Sequence, residues 1–168
     1  PETSRIDVVY GTAISAASEY LALVHGIDPQ FLSLYSLNEA NFRLMTQIEL
    51  EEPSRSHTRL GCSPNGEFLI CEDGDRVLIL LTREPLQEYA LPLDGSLIDF
   101  EFIPEFESIY LLTSRNDRSV LSIYSEEGRL YSRESFTGAA QWLYGAEKAL
   151  YLGSGSRLKK ISIARSSE

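Results

Sequence analysis

Gly61-Cys62-Ser63-Pro64-Asn65-Gly66-Glu67-Phe68-Leu69-Ile70-Cys71-Glu72-Asp73-Gly74-Asp75-Arg76-Val77-Leu78-Ile79-Leu80 alternates short apolar runs with turn-forming pieces. Pro64 has no N–H to give a ladder, and Asn65-Gly66 and Asp73-Gly74 tolerate the positive φ that tight hairpins demand. Between and after the two breaks lie Phe68–Cys71 and Val77–Leu80, rich in residues that fit a pleated sheet. The stretch reads as strand, turn, strand, turn, strand. A hairpin at Asn65-Gly66 pairs Cys62 with Leu69 and leaves Cys71 diagonal to Cys62. Diagonal neighbours are about 7–8 Å apart at Cα, beyond disulfide reach, so two free, buried thiols are expected. A reducing compartment suits them.

The same unit is written four times. Tyr20–Val24 is followed by Phe31–Tyr35, Phe68–Cys71 by Val77–Leu81, Ile109–Leu112 by Val120–Tyr124, and Ala149–Leu152 by Leu158–Ile163. The anchors Leu21, Leu69, Leu111 and Leu152 are 48, 42 and 41 positions apart, and 168 residues divided by four is 42. A period in the low forties with several short strands per unit is that of a β-propeller blade. A shorter strand precedes each pair, at Thr12–Ala16, Thr58–Cys62, Leu97–Ile103 and Ala140–Tyr144. A more polar outer strand follows, at Phe42–Leu50, Leu86–Leu93 and Arg129–Phe136. The expected class is therefore all-β, with about four blades of four antiparallel strands, approximately 11–50, 56–93, 97–136 and 139–164. The alternating Arg5–Tyr10 segment is expected to supply the outer strand missing from the fourth blade and so to hide a sheet edge. An α+β fold is the alternative. Thr12–His25, with Thr12 as a cap, Gly26 as a stop and Ile14, Ala17, Leu21 and Val24 near helical spacing, also reads as a helix, as does 39–49.

The quoted stretch resembles a WD40-type blade, a family with a Ser-Pro-Asp/Asn-Gly turn between its first two strands and an Asp-Gly-type turn before the third. Phe100–Glu105 carries a worn copy of the first turn and Ala16-Ala17-Ser18-Glu19 a fainter one. Gly-His and Trp-Asp dipeptides are absent; Tyr35-Ser36, Leu81-Thr82 and Tyr124-Ser125 stand where Trp-Asp would fall. The Asp–His–Ser/Thr–Trp network of that family is accordingly not carried over. The family usually has about seven blades, and four are counted here. A true four-bladed ring, a portion of a larger propeller, and two copies sharing one ring are the three arrangements open to the chain. The resemblance implies a platform for peptides or subunits.

Composition limits the function further. The chain has 15 Lys and Arg against 25 Asp and Glu, a formal net charge of −10, and a hydrophobic share of 43%. Those are globular values, and the sign disfavours nucleic acid and anionic membrane surfaces as partners. An acidic surface favours a protein partner with basic segments. No apolar run reaches the roughly 18 residues of a membrane span, and Pro1–Arg5 lacks a signal peptide's apolar stretch. A start at Pro1 means either a trimmed initiator Met or a cut from something longer. An intracellular location, cytoplasmic or nuclear, is expected.

No nucleophile elbow, phosphate loop or calcium-loop pattern occurs, and no cofactor or metal is expected. His25 sits at a blade turn and His57 in the polar linker 51–58; both read as surface or partly buried histidines. Asp73-Gly74-Asp75 reads as a hairpin turn. Arg157, Lys159, Lys160 and Arg165 make a small basic spot, read as a solvated face, with a docking spot for an acidic segment as the alternative. The candidate partner-binding residues are Trp142, Asp99, Glu101, Tyr89 and Tyr131. Trp142 falls on an inner strand, where an exposed aromatic could anchor a peptide or simply fill the core. Tyr89 and Tyr131 fall on outer strands. Asp99 and Glu101 alternate with Phe100 and Phe102, so both carboxylates face one way. The leading function is a non-catalytic protein–protein interaction scaffold within a multiprotein assembly, with a homodimer or a second chain as one way to complete a larger propeller. The alternative is a binder of small molecules, sugars or a calcium-dependent ligand, or a hydrolase, working in the central channel through Asp99, Glu101 and Gln141.

Overall fold

A computed structural model describes residues 8–15, 19–38, 41–52, 58–63, 66–82, 85–103, 107–146 and 149–162. Every regular element among them is a strand. Sheet 1 is β1 (Val9–Ile14), β2 (Tyr20–His25), β3 (Phe31–Asn38) and β4 (Asn41–Glu49). Sheet 2 is β5 (Leu60–Cys62), β6 (Phe68–Asp73), β7 (Arg76–Leu81) and β8 (Gln87–Pro92). Sheet 3 is β9 (Ser96–Ile103), β10 (Ser108–Arg115), β11 (Arg118–Ser125) and β12 (Leu130–Thr137). Sheet 4 is β13 (Trp142–Ala146), β14 (Ala149–Ser154) and β15 (Arg157–Ser162). In each sheet every strand pairs antiparallel with the next in the chain. The class is all-β and propeller-like, and in the two segments that also read as helices residues 12–14, 20–25 and 41–49 are strand.

The turns follow from local chemistry. Asp73 pairs with Arg76 across Gly74-Asp75, with Gly74 at φ 64°. Arg115 pairs with Arg118 across Asn116 and Asp117, at φ 50° and 59°. Two consecutive positive φ values define the turn that matches strand twist, and Asn and Asp are the non-glycine residues that best tolerate them. In the Ser63 turn the Ser63 N–H donates to the Phe68 carbonyl and the Phe68 N–H donates to Ser63 Oγ at 3.0 Å. Ser15, 48 residues earlier, repeats both bonds with Tyr20. Pro64 and Asn65 lie outside the described residues. Cys62 pairs with Leu69 and Leu60 with Cys71, and both thiols are free.

Val9 and Tyr10 correct the expected N-terminal closing strand. They open β1, and Val9 pairs with His25 ahead of a bulge at Tyr10, so sheet 1 and not sheet 4 takes this end of the 5–10 segment. Arg5, Ile6 and Asp7 lie outside the described residues, as do 163–164. The physical reason is continuity: with Tyr10 as the extra residue of the bulge, the strand runs on from Val9 to Ile14 with no break.

The chain divides into two compact units, Pro1–Pro92 and Leu93–Glu168. In the first, sheets 1 and 2 pack through Ala22, Val24, Leu32 and Leu34 against Leu69, Cys71, Leu78 and Leu80. In the second, Ile103, Tyr110, Leu112 and Leu121 of sheet 3 pack against Leu143, Leu150 and Leu152 of sheet 4. Sheets 2 and 3 are buried on their other faces as well: Phe68, Ile70, Ile109 and Leu111 are all within 2% of full burial. Burial on both faces is why β6, β7 and β10 carry unbroken apolar runs and why β11 is apolar but for the buried Ser122.

Candidate functional site

The inner strands β9 and β13 lie side by side, and the candidate carboxylates sit between them. Strand alternation puts Asp99, Glu101 and Ile103 on the face of β9 turned to sheet 4. Asp99 Oδ2 accepts the Leu143 N–H at 2.8 Å, and Glu101 Oε2 accepts the Gly145 N–H at 3.0 Å. The remaining oxygens accept the N–H groups of Phe100 and Phe102 at 3.0 and 3.2 Å. Gly145 is what allows this approach, since a Cβ there would stand 2.9 Å from Glu101 Cγ and Ile103 Cγ1. Burial raises the Glu101 pKa above the ordinary carboxylate value; the two N–H donors pull it down, and the nearby Asp99 charge adds to the rise. The two side chains thus form a ladder between neighbouring inner strands. Sheets 1 and 2 join their inner strands differently, through the Thr58 N–H donating to the Tyr10 carbonyl.

Trp142 lies one residue before Leu143 but on the opposite face of sheet 4. It pairs with Gly153, and its indole covers that glycine so closely that a Cβ would collide with the ring. Tyr131 is exposed on the outer strand β12, and Tyr89 is half-buried on β8 in the first unit. The structure therefore brings Asp99, Glu101 and the Trp142 strand together, while Tyr131 stands on the outer strand of sheet 3 and Tyr89 belongs to the other unit.

The basic residues divide between two faces. Lys159 lies 3.9 Å above the Phe136 ring, on the side of sheet 4 turned to sheet 3, whereas Lys160 lies over Tyr151 on the other side. Arg165 is outside the described residues. A groove of about 490 Å³ opens where Phe136 and Gly138 meet Leu152, Arg157 and Lys159. A second groove, of about 720 Å³, lies in the first unit between Tyr20, Arg43, Met45 and Leu86. The sequence offered Lys159 and Phe136 separately; their pairing across 23 positions had no local signal.

Asp73 is the polar residue whose importance the sequence understated. It is buried, accepts the N–H groups of Glu51 and Glu52 at 3.2 and 2.9 Å, and holds Arg76 through Nε and Nη2 at 2.9 and 2.7 Å. The Asp73-Gly74-Asp75 turn thus ties down the segment that follows β4. His25 Nε2 lies 2.8 Å from Ser33 Oγ, and burial lowers its pKa. His57 is outside the described residues. Among the described residues no three His, Cys, Asp or Glu side chains gather as a metal site. No described helix is long and apolar enough to cross a membrane.

A family model described as a beta-propeller protein matches residues 1–167, so the chain belongs to that family. A curated relative from Treponema pallidum (strain Nichols), itself called an uncharacterized protein, is 23% identical over 164 residues, covering 98% of this chain and 43% of its own length. The chain thus spans less than half of that relative. Among solved structures, Citrobacter koseri AztD superposes with a TM-score of 0.70 at 17% identity, over 92% of this chain and 43% of its own. The Cps50 (Swd1) beta-propeller domain of Myceliophteria thermophila superposes with a TM-score of 0.63 at 13% identity, over 94% and 53%. The WD40-like character read from Gly61–Leu80 holds at the level of the fold.

Proposed function

We propose that this chain is a non-catalytic protein-binding platform, a run of blades from a larger propeller that serves a multiprotein assembly. The observation that carries the reading is the engagement of Asp99 and Glu101. All four carboxylate oxygens accept backbone N–H groups, and one oxygen of each side chain joins β9 to β13, so the best-placed acidic pair serves a contact between blades. Turning either carboxylate toward a substrate or ion would break that contact. What the surface offers instead is contact area: exposed Tyr131 on an outer strand, and grooves edged by Arg43 in one unit and by Arg157 and Lys159 in the other. The net charge of −10 favours partners with basic segments and speeds encounter with them, while the grooves edged by Arg43, Arg157 and Lys159 suit acidic segments of such partners.

The test is capture of partners from native extract by the immobilised chain across a salt series, beside assays on ester, lactone and glycoside panels. A specific complex that weakens with salt, with no turnover, is the expected result. Turnover abolished by Asp99→Asn would overturn the reading in favour of channel chemistry.

A further inference from the structure

The strand period of two puts Arg157 and Lys159 on one face of β15, the face that Leu152 shares, because Lys159 pairs directly with Leu152 and Arg157 with Ser154. Two residues of strand set the two Cα atoms about 6–7 Å apart. The end of β12 runs opposite. Its Phe136 ring lies 3.9 Å from Lys159 Nζ, a cation–π contact that holds the ammonium at the edge of the groove. The groove itself, of about 490 Å³, is lined by the buried Leu152 and by Phe136, Gly138 and Ala140 beside the two cations. All of this lining lies within the second compact unit. Among the described residues it contains no carboxylate. The ion pairs between described residues are made by Arg76, Arg115 and Arg133, so no described carboxylate neutralises Arg157 or Lys159. Glu134, two residues before Phe136 on the same face of β12, stands outside the lining. In a chain of net charge −10 the groove is a local reversal of sign.

We infer that this groove takes a short, extended, acidic segment of a partner protein. Carboxylates on alternate residues of the segment meet Arg157 and Lys159, and an apolar side chain beside them packs on Leu152 and Phe136. The inference deepens the platform reading and rests on it. Charge complementarity names the occupant. An extended peptide presents side chains on one side at every second residue, about 6–7 Å apart, which is the spacing of the two cations. The planar guanidinium of Arg157 suits one carboxylate, and the ammonium of Lys159, steadied over its ring, suits the next. The apolar half of the lining calls for more than a simple anion, because a ligand made only of carboxylates leaves Leu152 and Phe136 facing water. The volume lies within the roughly 300–1,000 Å³ of clefts that hold a small ligand, enough for a few side chains. A long polyanion fits worse: nucleic acid draws its affinity from many phosphate contacts, and beyond these two cations it would meet an acidic chain.

The test is fluorescence anisotropy of a labelled synthetic peptide, a Leu followed by Glu at alternate positions, titrated with the 168-residue chain. Saturable binding that weakens with salt is expected. Replacing the peptide's Glu by Gln should abolish it, and replacing its Leu by Ser should weaken it. Arg157→Gln and Lys159→Gln, both at exposed positions, should each weaken binding about tenfold with an unchanged strand spectrum. The double reversal Arg157→Glu with Lys159→Glu should lose the acidic peptide and bind its Lys counterpart instead. No binding by the parent chain, equal binding of the Gln or Ser peptides, or binding untouched by both Gln variants would overturn the inference. So would a single-stranded oligonucleotide bound as tightly as the peptide, since the groove would then be a general anion site. The platform reading is read separately, by capture from native extract. Partners captured equally by the parent and by Lys159→Gln, with no peptide bound, would sink only the inference; peptide binding with no partner captured would sink only the platform.

Discussion

Asp73 shows how one carboxylate can set the order of a whole turn. It is buried with both oxygens engaged, two backbone N–H groups and a guanidinium among its partners. Removing it leaves Arg76 with only the exposed Glu51 and strands the two N–H groups. Arg76 is 25% exposed and can turn to water, so the loss falls mainly on the stranded N–H groups, and Asp73→Ala should lower stability by about 1–3 kcal/mol in urea unfolding, whereas Asp75→Ala on the same turn should change little. Glu101 makes a pH prediction. Its folded pKa is raised, chiefly by burial, so the folded chain keeps that proton to higher pH than the unfolded chain does. Stability from this group is present at low pH and is lost as the pH climbs from the ordinary carboxylate value through the raised one. Urea midpoints taken between about pH 4 and about pH 7 should fall less steeply for Glu101→Gln than for the parent. An equal slope in the two would show that Glu101 is not held above its ordinary value.

At the scale of elements, the contact between β9 and β13 is the feature most open to attack. Asp99→Ala removes the acceptor for the Leu143 N–H and should cost about 1–3 kcal/mol. Millimolar calcium should leave the melting temperature of the parent unchanged; a rise that Asp99→Asn abolishes would make these carboxylates a metal site. The Trp142–Gly153 pair gives a spectroscopic handle, since Trp142 is the single tryptophan. Gly153→Ala would place a methyl group where the indole lies, so the ring must lift away from the sheet. Its emission should shift to the red while the far-ultraviolet spectrum stays that of a strand protein. The alternation around Asp99 and Glu101 was readable in the sequence, and it placed both carboxylates on one face. Their partners were not readable, because each bond reaches 44 positions along the chain to a backbone N–H, a group every residue but proline carries. Thr12–His25 was ambiguous for a related reason. Its apolar residues satisfy both periods, and pairing of β2 with β1 and β3 decides between them.

For the whole chain, burial should order local stability. The amides of β6, β7, β10 and β11 lie in sheets buried on both faces and should exchange slowest, with those of β4 and β15 much faster. Hydrogen exchange read by mass spectrometry checks this, and rapid exchange throughout sheet 2 would contradict it. The repeat near 42 residues, the turns at Gly74 and Asn116-Asp117, the Cys62–Leu69 register and the four-sheet class were all determined by the sequence alone. Each depends on local dihedral preference or on a two-residue period, and those signals are carried by neighbours in the chain. The membership of Val9 and Tyr10 in sheet 1, the use of Asp99 and Glu101 between blades, the hold of Asp73 on the Glu51-Glu52 segment and the seating of Lys159 on Phe136 were decided only by tertiary structure. Which polar group meets which, and which apolar face is left open to water, depends on distances between residues far apart in the chain, and no local pattern encodes those.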